Sequence, residues 1–206
     1  EQVLMRELTG SQWTSYKDRE VLAELLIAKA PQNPLGYAEM AKSRLAAGQG
    51  GMAIAYAKKL TELAPNEPDH QFLLGRAYLK ANKPAESLPP LLRAAGADLP
   101  KPVYFSGLGI AYAQQGQYLL AVAAYQKSLE LDPTNGFALL QMGMAQAFAG
   151  DEEEAALSIR RSIIIAIANH EKASAENGLN ALTSLGLESQ LSKDELKLIE
   201  EKVRKL

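Results

Sequence analysis

An all-α solenoid of antiparallel helix pairs is what this sequence predicts, and three observations predict it. Four small residues, Ala41, Gly75, Gly109 and Gly143, recur at a spacing of 34 residues. Each is followed seven residues later by a turn-forming residue: Gly48, Asn82, Gly116 and Gly150. The composition is that of closely packed helices, 47% hydrophobic but only 6% aromatic, with alanine and leucine prevalent. A fixed period of this length marks an array in which each helix pair buries its apolar face on its neighbours.

Taken in order, the elements form one domain over 1–206. It comprises a degenerate helical pair (1–33), four repeats (34–67, 68–101, 102–135 and 136–169) and closing helices (170–206). Asp18–Ala30, ended by Pro31 in register with Pro65, predicts a B-type helix; its A-type partner, with Trp13 packed on it, falls in 1–15. The unit from Pro34 carries Met40-Ala41, Gly48, Ala53 and Pro65, and the unit from Pro68 carries Leu74-Gly75, Tyr78, Asn82 and Ala94. Asn82 fits a turn position because asparagine tolerates the left-handed conformation better than most residues. The unit from Pro102 is the clearest: Phe105, Leu108, Gly109 and Tyr112 on helix A, Gly116 at the turn, and Tyr118, Ala121, Tyr125 and Leu129 on helix B. Gly109 and Ala121 are expected at the crossing of the two helices. The unit from Gly136 repeats the pattern with Met142-Gly143, Gly150 and Ala155.

Ala173–Leu185 and Leu191–Leu206 predict two closing helices. Ser192 and Glu195 stand at capping-box spacing, and the charged run Lys193–Lys205 supplies the polar face that stops an array from propagating. Two places break the pattern. Pro89-Pro90 falls inside a B helix and predicts a kink or a shortened helix. The stretch 163–167 (Ile-Ile-Ile-Ala-Ile) is apolar all round and so needs cover on more than one side, for which the closing helices are the expected source.

Leu108-Gly109, Tyr112, Gly116, Ala121, Tyr125 and Pro133 resemble the tetratricopeptide repeat (TPR) motif nearly position for position. The resemblance implies a right-handed superhelix whose A helices line a concave side, with the second, fifth, sixth, ninth and twelfth residues of each unit pointing inward. Those positions, together with the adjacent Phe148, supply the candidate partner-binding residues Lys42, Phe72, Leu73, Arg76, Ile110, Phe137, Leu140, Met144 and Phe148. An apolar surface with a methionine and aromatic rings suits an amphipathic helix or an extended peptide, with Lys42 and Arg76 orienting it through an acidic group. TPR cochaperones that grip acidic chaperone C-termini carry a Lys and Asn clamp; here the corresponding positions are Ala38, Lys42, Leu73, Val103 and Gly107, so that clamp is missing.

The segments GIAYAQQGQYLLAVAAYQKSLELDPTN and LLQMGMAQAFAGDEEEAALSIRRS resemble the paired repeats of Tad-pilus TPR proteins over roughly residues 34–167. That resemblance implies a pilotin-like outer-membrane lipoprotein and assembly factor, with a secretin or another pilus component as partner and a periplasmic or membrane-anchored location. The lipid-bearing cysteine of that family is absent from this chain. The alternative is a soluble cytoplasmic adaptor for a signalling or metabolic protein. Beginning at Glu1 rather than Met, the chain is expected to be a processed or trimmed form, which leaves room for a removed signal or lipid anchor.

Other function classes are disfavoured by what the sequence contains. A net charge of −2 and a pI near 5.8 give no general electrostatic reason to bind nucleic acid. No apolar run reaches the ~18–20 residues of a membrane span. Without cysteine there is no disulfide, thiolate nucleophile or cysteine metal site. His70 and His170 belong to different units, and each has the neighbours of a solvated turn. Asp151–Glu154 occupies a helix first turn, where negative charge complements the dipole. No glycine-rich loop leads into Lys-Ser/Thr. The expectation is a non-enzymatic protein without metal or cofactor.

Overall fold

The structure is a computed structural model describing residues 16–206, so Trp13 and the A-type helix expected in 1–15 lie outside the described residues. The described residues form eleven α-helices and one 3-10 turn, without a strand. The all-α class predicted from the repeat spacing is therefore the class adopted. The chain divides into two compact units, Glu1–Pro100 and Lys101–Leu206.

The first unit holds α1 (Tyr16–Lys29), α2 (Pro34–Ala46), α3 (Gly50–Leu63), α4 (Pro68–Lys80) and α5 (Pro84–Ala95). Pro34, Pro68 and Pro84 open their helices, where proline's missing N–H has no intrahelical partner to lose and its φ is already helical. Asn33 caps α2 by accepting from the Leu35 amide at 3.0 Å. The turns after α2 and α4 pass through left-handed Gly48 (φ 76°) and Asn82 (φ 56°). Ala23, Leu26 and Met40 close the α1–α2 contact. Ala41, Ala53, Ala57, Leu60, Leu74 and Ala77 join α2, α3 and α4 into one core. Across the described part of the unit, Ser43 donates to Glu20, and Arg44 pairs with Glu20 at 3.7 Å.

Pro89 and Pro90 do not break α5, which runs through them for 12 residues, two fewer than the B helix α3. The shortening expected from the sequence is present. The two lost bonds would have ended on the carbonyls of Ala85 and Glu86, in the helix's exposed first turn where water can replace them. Pro90 itself is buried.

The second unit holds α6 (Pro102–Gln114), α7 (Tyr118–Leu131), α8 (Gly136–Ala149), α9 (Glu152–Ala168), α10 (Lys172–Ser184), a 3-10 turn (Leu187–Gln190) and α11 (Lys193–Arg204). The predicted close approach at Gly109 is present, but with a different partner. A Cβ on Gly109 would fall 2.5 Å from Cε1 of Tyr125, one helical turn beyond Ala121. The same device recurs 34 residues on either side: Gly75 faces Leu91, with Cγ at 2.4 Å, and Gly143 faces Ile159, with Cγ1 at 2.6 Å. Each small residue thus receives the side chain sixteen positions later, on the B helix of its own pair. At the fourth such position, Ala41, the residue sixteen later is Ala57, and both are fully buried in one core. A bulky residue lies opposite glycine and a small one opposite alanine, which keeps interior volume constant.

Three polar bonds, two of them fully buried, tie the helices of this unit. Ser128 donates to the carbonyl of Pro102 at 2.9 Å, so its Oγ accepts from Ser106 at 2.8 Å. Ser158 donates to Gln146 at 2.7 Å.

The isoleucine-rich segment is covered on more than one side, as expected, with Ile165 against Gly136 of α8, but not on every side. Ile163 and Ala166 are buried in a core built with Leu182, Leu187, Leu191, Ile199 and Val203, so the closing segments do cover one side. Ile164, however, is 51% exposed, because the next residue on a helix points about 100° away from its neighbour. The reciprocal capping box at the start of α11 is formed, with Glu195 N donating to Ser192 Oγ and Ser192 N to Glu195 Oε2, each at 3.2 Å.

Candidate functional site

In the first unit, the A-type helices α2 and α4 lie side by side and enclose a cleft of ≈ 590 Å³. Pro34, Leu35, Ala38 and Lys42 line it from α2; Asp69, His70, Phe72, Leu73 and Arg76 line it from α4. Four predicted partner-binding residues, Lys42, Phe72, Leu73 and Arg76, are therefore brought together here. Leu73 is only 6% exposed and also belongs to the unit's core. It forms the floor of the cleft rather than a projecting contact.

The two cations of this cleft are not equivalent. Lys42 Nζ sits 2.8 Å from Glu39, which also lies 3.7 Å from Arg19, so a ligand carboxylate would compete with an acid already in place. The exposed Arg76 guanidinium stacks 5.6 Å over the Phe72 ring, and among the described residues it makes no ion pair. A cation on an aromatic face is held at about 0.5–1 kcal/mol while its hydrogen-bond donors stay available in the ring plane's periphery. His70 departs from the solvated-turn expectation: it is half-buried at the cleft wall, and its buried Nδ1 has no hydrogen-bond partner among the described residues.

In the second unit, a smaller cleft of ≈ 380 Å³ joins α8 to α9 and α10. Phe137 (54% exposed) and Leu140 supply its apolar part. Asn135, Asn169, Glu171, Ser174 and Asn177 supply a polar part to which the repeat periodicity did not point. The last four lie at or just before α10, and the signal for them was available: α10 is one further A-type helix placed beside α8.

The remaining three predicted residues line neither cleft. Ile110 packs half-buried against the cluster of Ala121, Tyr125, Ala138 and Ala145. Met144 is half-buried, with the Gln141 amide 3.8 Å from its sulfur. Phe148 is 56% exposed and stacks on Tyr118 with centroids 5.2 Å apart. Among the described residues no group of three or more His, Asp or Glu side chains is placed to hold a metal ion. No described helix is long and apolar enough to cross a membrane.

Family models described as the tetratricopeptide repeat match residues 39–101, 102–135 and 124–156, together more than half of the chain. Among solved structures the fold is similar to PilW, titled a widely conserved type IV pilus biogenesis factor, at 20% identity and a TM-score of 0.68 over 96% of this chain and 95% of that one. It is also similar to MamA from Desulfovibrio magneticus RS-1, at 20% identity and 0.68 over 80% and 89% of the two chains. A third similar structure is TTC0263, a thermophilic TPR protein of Thermus thermophilus, at 18% identity and 0.69 over 82% and 91%. These likenesses are of fold. No curated protein matches the chain by sequence. With its 34-residue period, its glycine-keyed helix pairs and its family matches in agreement, the chain belongs to the tetratricopeptide repeat family.

Proposed function

We propose that this protein is a non-catalytic scaffold that captures an apolar peptide or helix bearing an acidic group in the α2–α4 cleft. The observation that carries this reading is the pairing of an apolar floor and wall (Leu35, Phe72, Leu73) with Arg76, a cation held on an aromatic ring and engaged in no ion pair among the described residues. Apolar contacts supply affinity and the charge fixes orientation. Phe137 and Leu140 offer a second apolar contact of the same kind on the second unit.

The role that fits is assembly factor, pilotin-like, for a bacterial Tad or type IV pilus or a related secretion system, with a secretin or another pilus component as the captured protein and a lipid anchor in the precursor. Its support is the sequence resemblance to Tad-pilus TPR proteins and the fold shared with PilW along nearly the whole of both chains. The test is capture from detergent-solubilised envelopes of the source organism by wild type, Arg76→Glu and Lys42→Ala. Enrichment of a pilus component, reduced by about 10-fold or more in Arg76→Glu and by less than about 3-fold in Lys42→Ala, is expected, because reversing the charge that meets the ligand's acid costs far more than deleting one already compensated. Capture from cytosol alone would replace the pilus role with that of a soluble adaptor. Equal capture by all three proteins would reject the cleft.

A further inference from the structure

A second apolar groove, of ≈ 420 Å³, lies in the second unit between α9 and α11, away from the A-helix clefts. Ile164, Ile167 and Ala168 line it from α9, and Leu198, Ile199 and Lys202 from α11. Ile164 and Leu198 stand 51% and 53% exposed at its mouth. Two large exposed aliphatic side chains from two helices meeting in one concavity are an unusual use of surface.

We propose that this groove is a self-association site, in which α11 packs antiparallel against α11 of a second copy of this chain. The charge pattern of α11 selects that occupant. Its buried face is Ile199 and Val203. Beside that face run Asp194, Leu198 and Lys202, spaced four residues apart and all exposed. Among the described residues neither Asp194 nor Lys202 makes an ion pair, whereas Arg160 and Glu195 at the groove's edge already hold each other at 2.6 Å. A two-fold axis through Leu198 brings Asp194 of each copy against Lys202 of the other, and it sets Leu198 against its own counterpart beside Ile164. A parallel arrangement would oppose like charges at both ends. Along this row only the antiparallel orientation is complementary, as an isologous interface requires; the same axis sets Glu201 opposite Glu195, whose charge Arg160 already offsets.

The magnitudes divide the roles. Rim ion pairs in water contribute little affinity but fix register, while the desolvated aliphatic centre holds the complex. α11 has 12 residues, about 18 Å of helix. Contact of that extent belongs to the small, reversible class of interfaces, so the dimer should dissociate on the order of tens of micromolar.

The test is sedimentation of the full chain from about 1 µM to about 500 µM, spanning that range of dissociation constants. Wild type should pass from monomer to dimer. Leu198→Glu should weaken dimerisation by roughly 100-fold, as loss of a central anchor does. Because Leu198 is outside the buried face, helicity by circular dichroism should be unchanged. Asp194→Lys and Lys202→Asp should each weaken the dimer, and the double exchange should restore it to within about 3-fold of wild type, the signature of a direct pair. A chain that stays monomeric throughout leaves the groove to a different partner and overturns the proposal. A dimer indifferent to Leu198→Glu overturns it also, and failure of the double exchange to restore overturns the antiparallel register.

Discussion

Adding a single methyl group at Gly109 is the sharpest test of how the helix pairs are held. Alanine there places Cβ 2.5, 2.6 and 2.8 Å from Cε1, Cζ and Cδ1 of Tyr125. Carbon atoms in contact prefer about 3.5–4.0 Å, so either the ring or the helix must retreat by roughly 1 Å. Tyr125 has no accessible surface, and a rigid ring in a close-packed interior has no empty direction to move into. Overpacking of this kind costs about 1–3 kcal/mol. Against it stands the helix-propensity gain of Gly→Ala, about 1 kcal/mol in a helix interior. An approach this close, on a ring with no accessible surface, belongs to the upper part of that range, about 2–3 kcal/mol, so the steric term wins and a net loss of about 1–2 kcal/mol is expected. The matched control is Gly51→Ala in α3, where a Cβ meets nothing within 4 Å. There only the propensity term acts, and stability should rise by about 0.5–1 kcal/mol. Urea unfolding followed by far-ultraviolet circular dichroism compares the midpoints at constant m value. A Gly109→Ala protein as stable as wild type would show that the two helices can separate freely, and the glycine-to-bulky pairing would lose its physical basis.

Two further outcomes follow from groups whose surroundings are unusual. Among the described residues the buried Tyr125 hydroxyl has no hydrogen-bond partner, and burial pushes its pKa well above the usual tyrosine value. Tyr125→Phe removes an unsatisfied polar group and should therefore leave stability unchanged or raise it by up to about 1 kcal/mol in the same urea assay; a loss of that size would mean that the hydroxyl has a partner. Hydrogen bonds from the Ser192 side chain and backbone, aided by the charge of Arg160, hold the Glu195 carboxyl below its usual range. A carboxylate with a depressed folded pKa contributes stability above its unfolded value of about 4.3 and loses it as pH falls through the folded value. Amide protection in the first turn of α11, measured relative to the intrinsic exchange rate at each pH, should accordingly fall below about pH 4.3 in wild type, with less acid dependence in Glu195→Gln; identical protection profiles for the two proteins would remove Glu195 from the cap's energetics.

The elements were legible because the residues that punctuate them act locally. Pro34, Pro68 and Pro102 are favoured at helix starts, and Gly48, Gly116 and Asn82 adopt the left-handed turn at the ends of their helices. The cleft of the first unit was legible for a related reason: in a repeat of fixed period, position within helix A dictates direction, which placed Lys42, Phe72 and Arg76 together. What escaped was anything decided by a neighbour from another element. The stacking of Phe148 on Tyr118 and the Ser106–Ser128 bond both depend on inter-residue distances that periodicity does not encode. Leu73 could be assigned to the inward face, but its sinking into the core depends on how closely α2 approaches α4. The exposure of Ile164 was hidden because an uninterrupted apolar run carries no information about which side remains uncovered.

Each lock in this array is cut to its own key. The glycine of α4 accepts Leu91, that of α6 accepts Tyr125 and that of α8 accepts Ile159, while Ala41 stands with Ala57. All four pairs close within one 34-residue block. A duplication or recombination that copies a whole block carries both halves along and inserts a working module, whereas a crossover inside a block would set Ala41 against a tyrosine or leave a glycine facing empty space. The sixteen-residue pairing therefore defines the heritable unit of this protein, and the phase in which arrays like it can lengthen, shorten or shuffle without loss of packing.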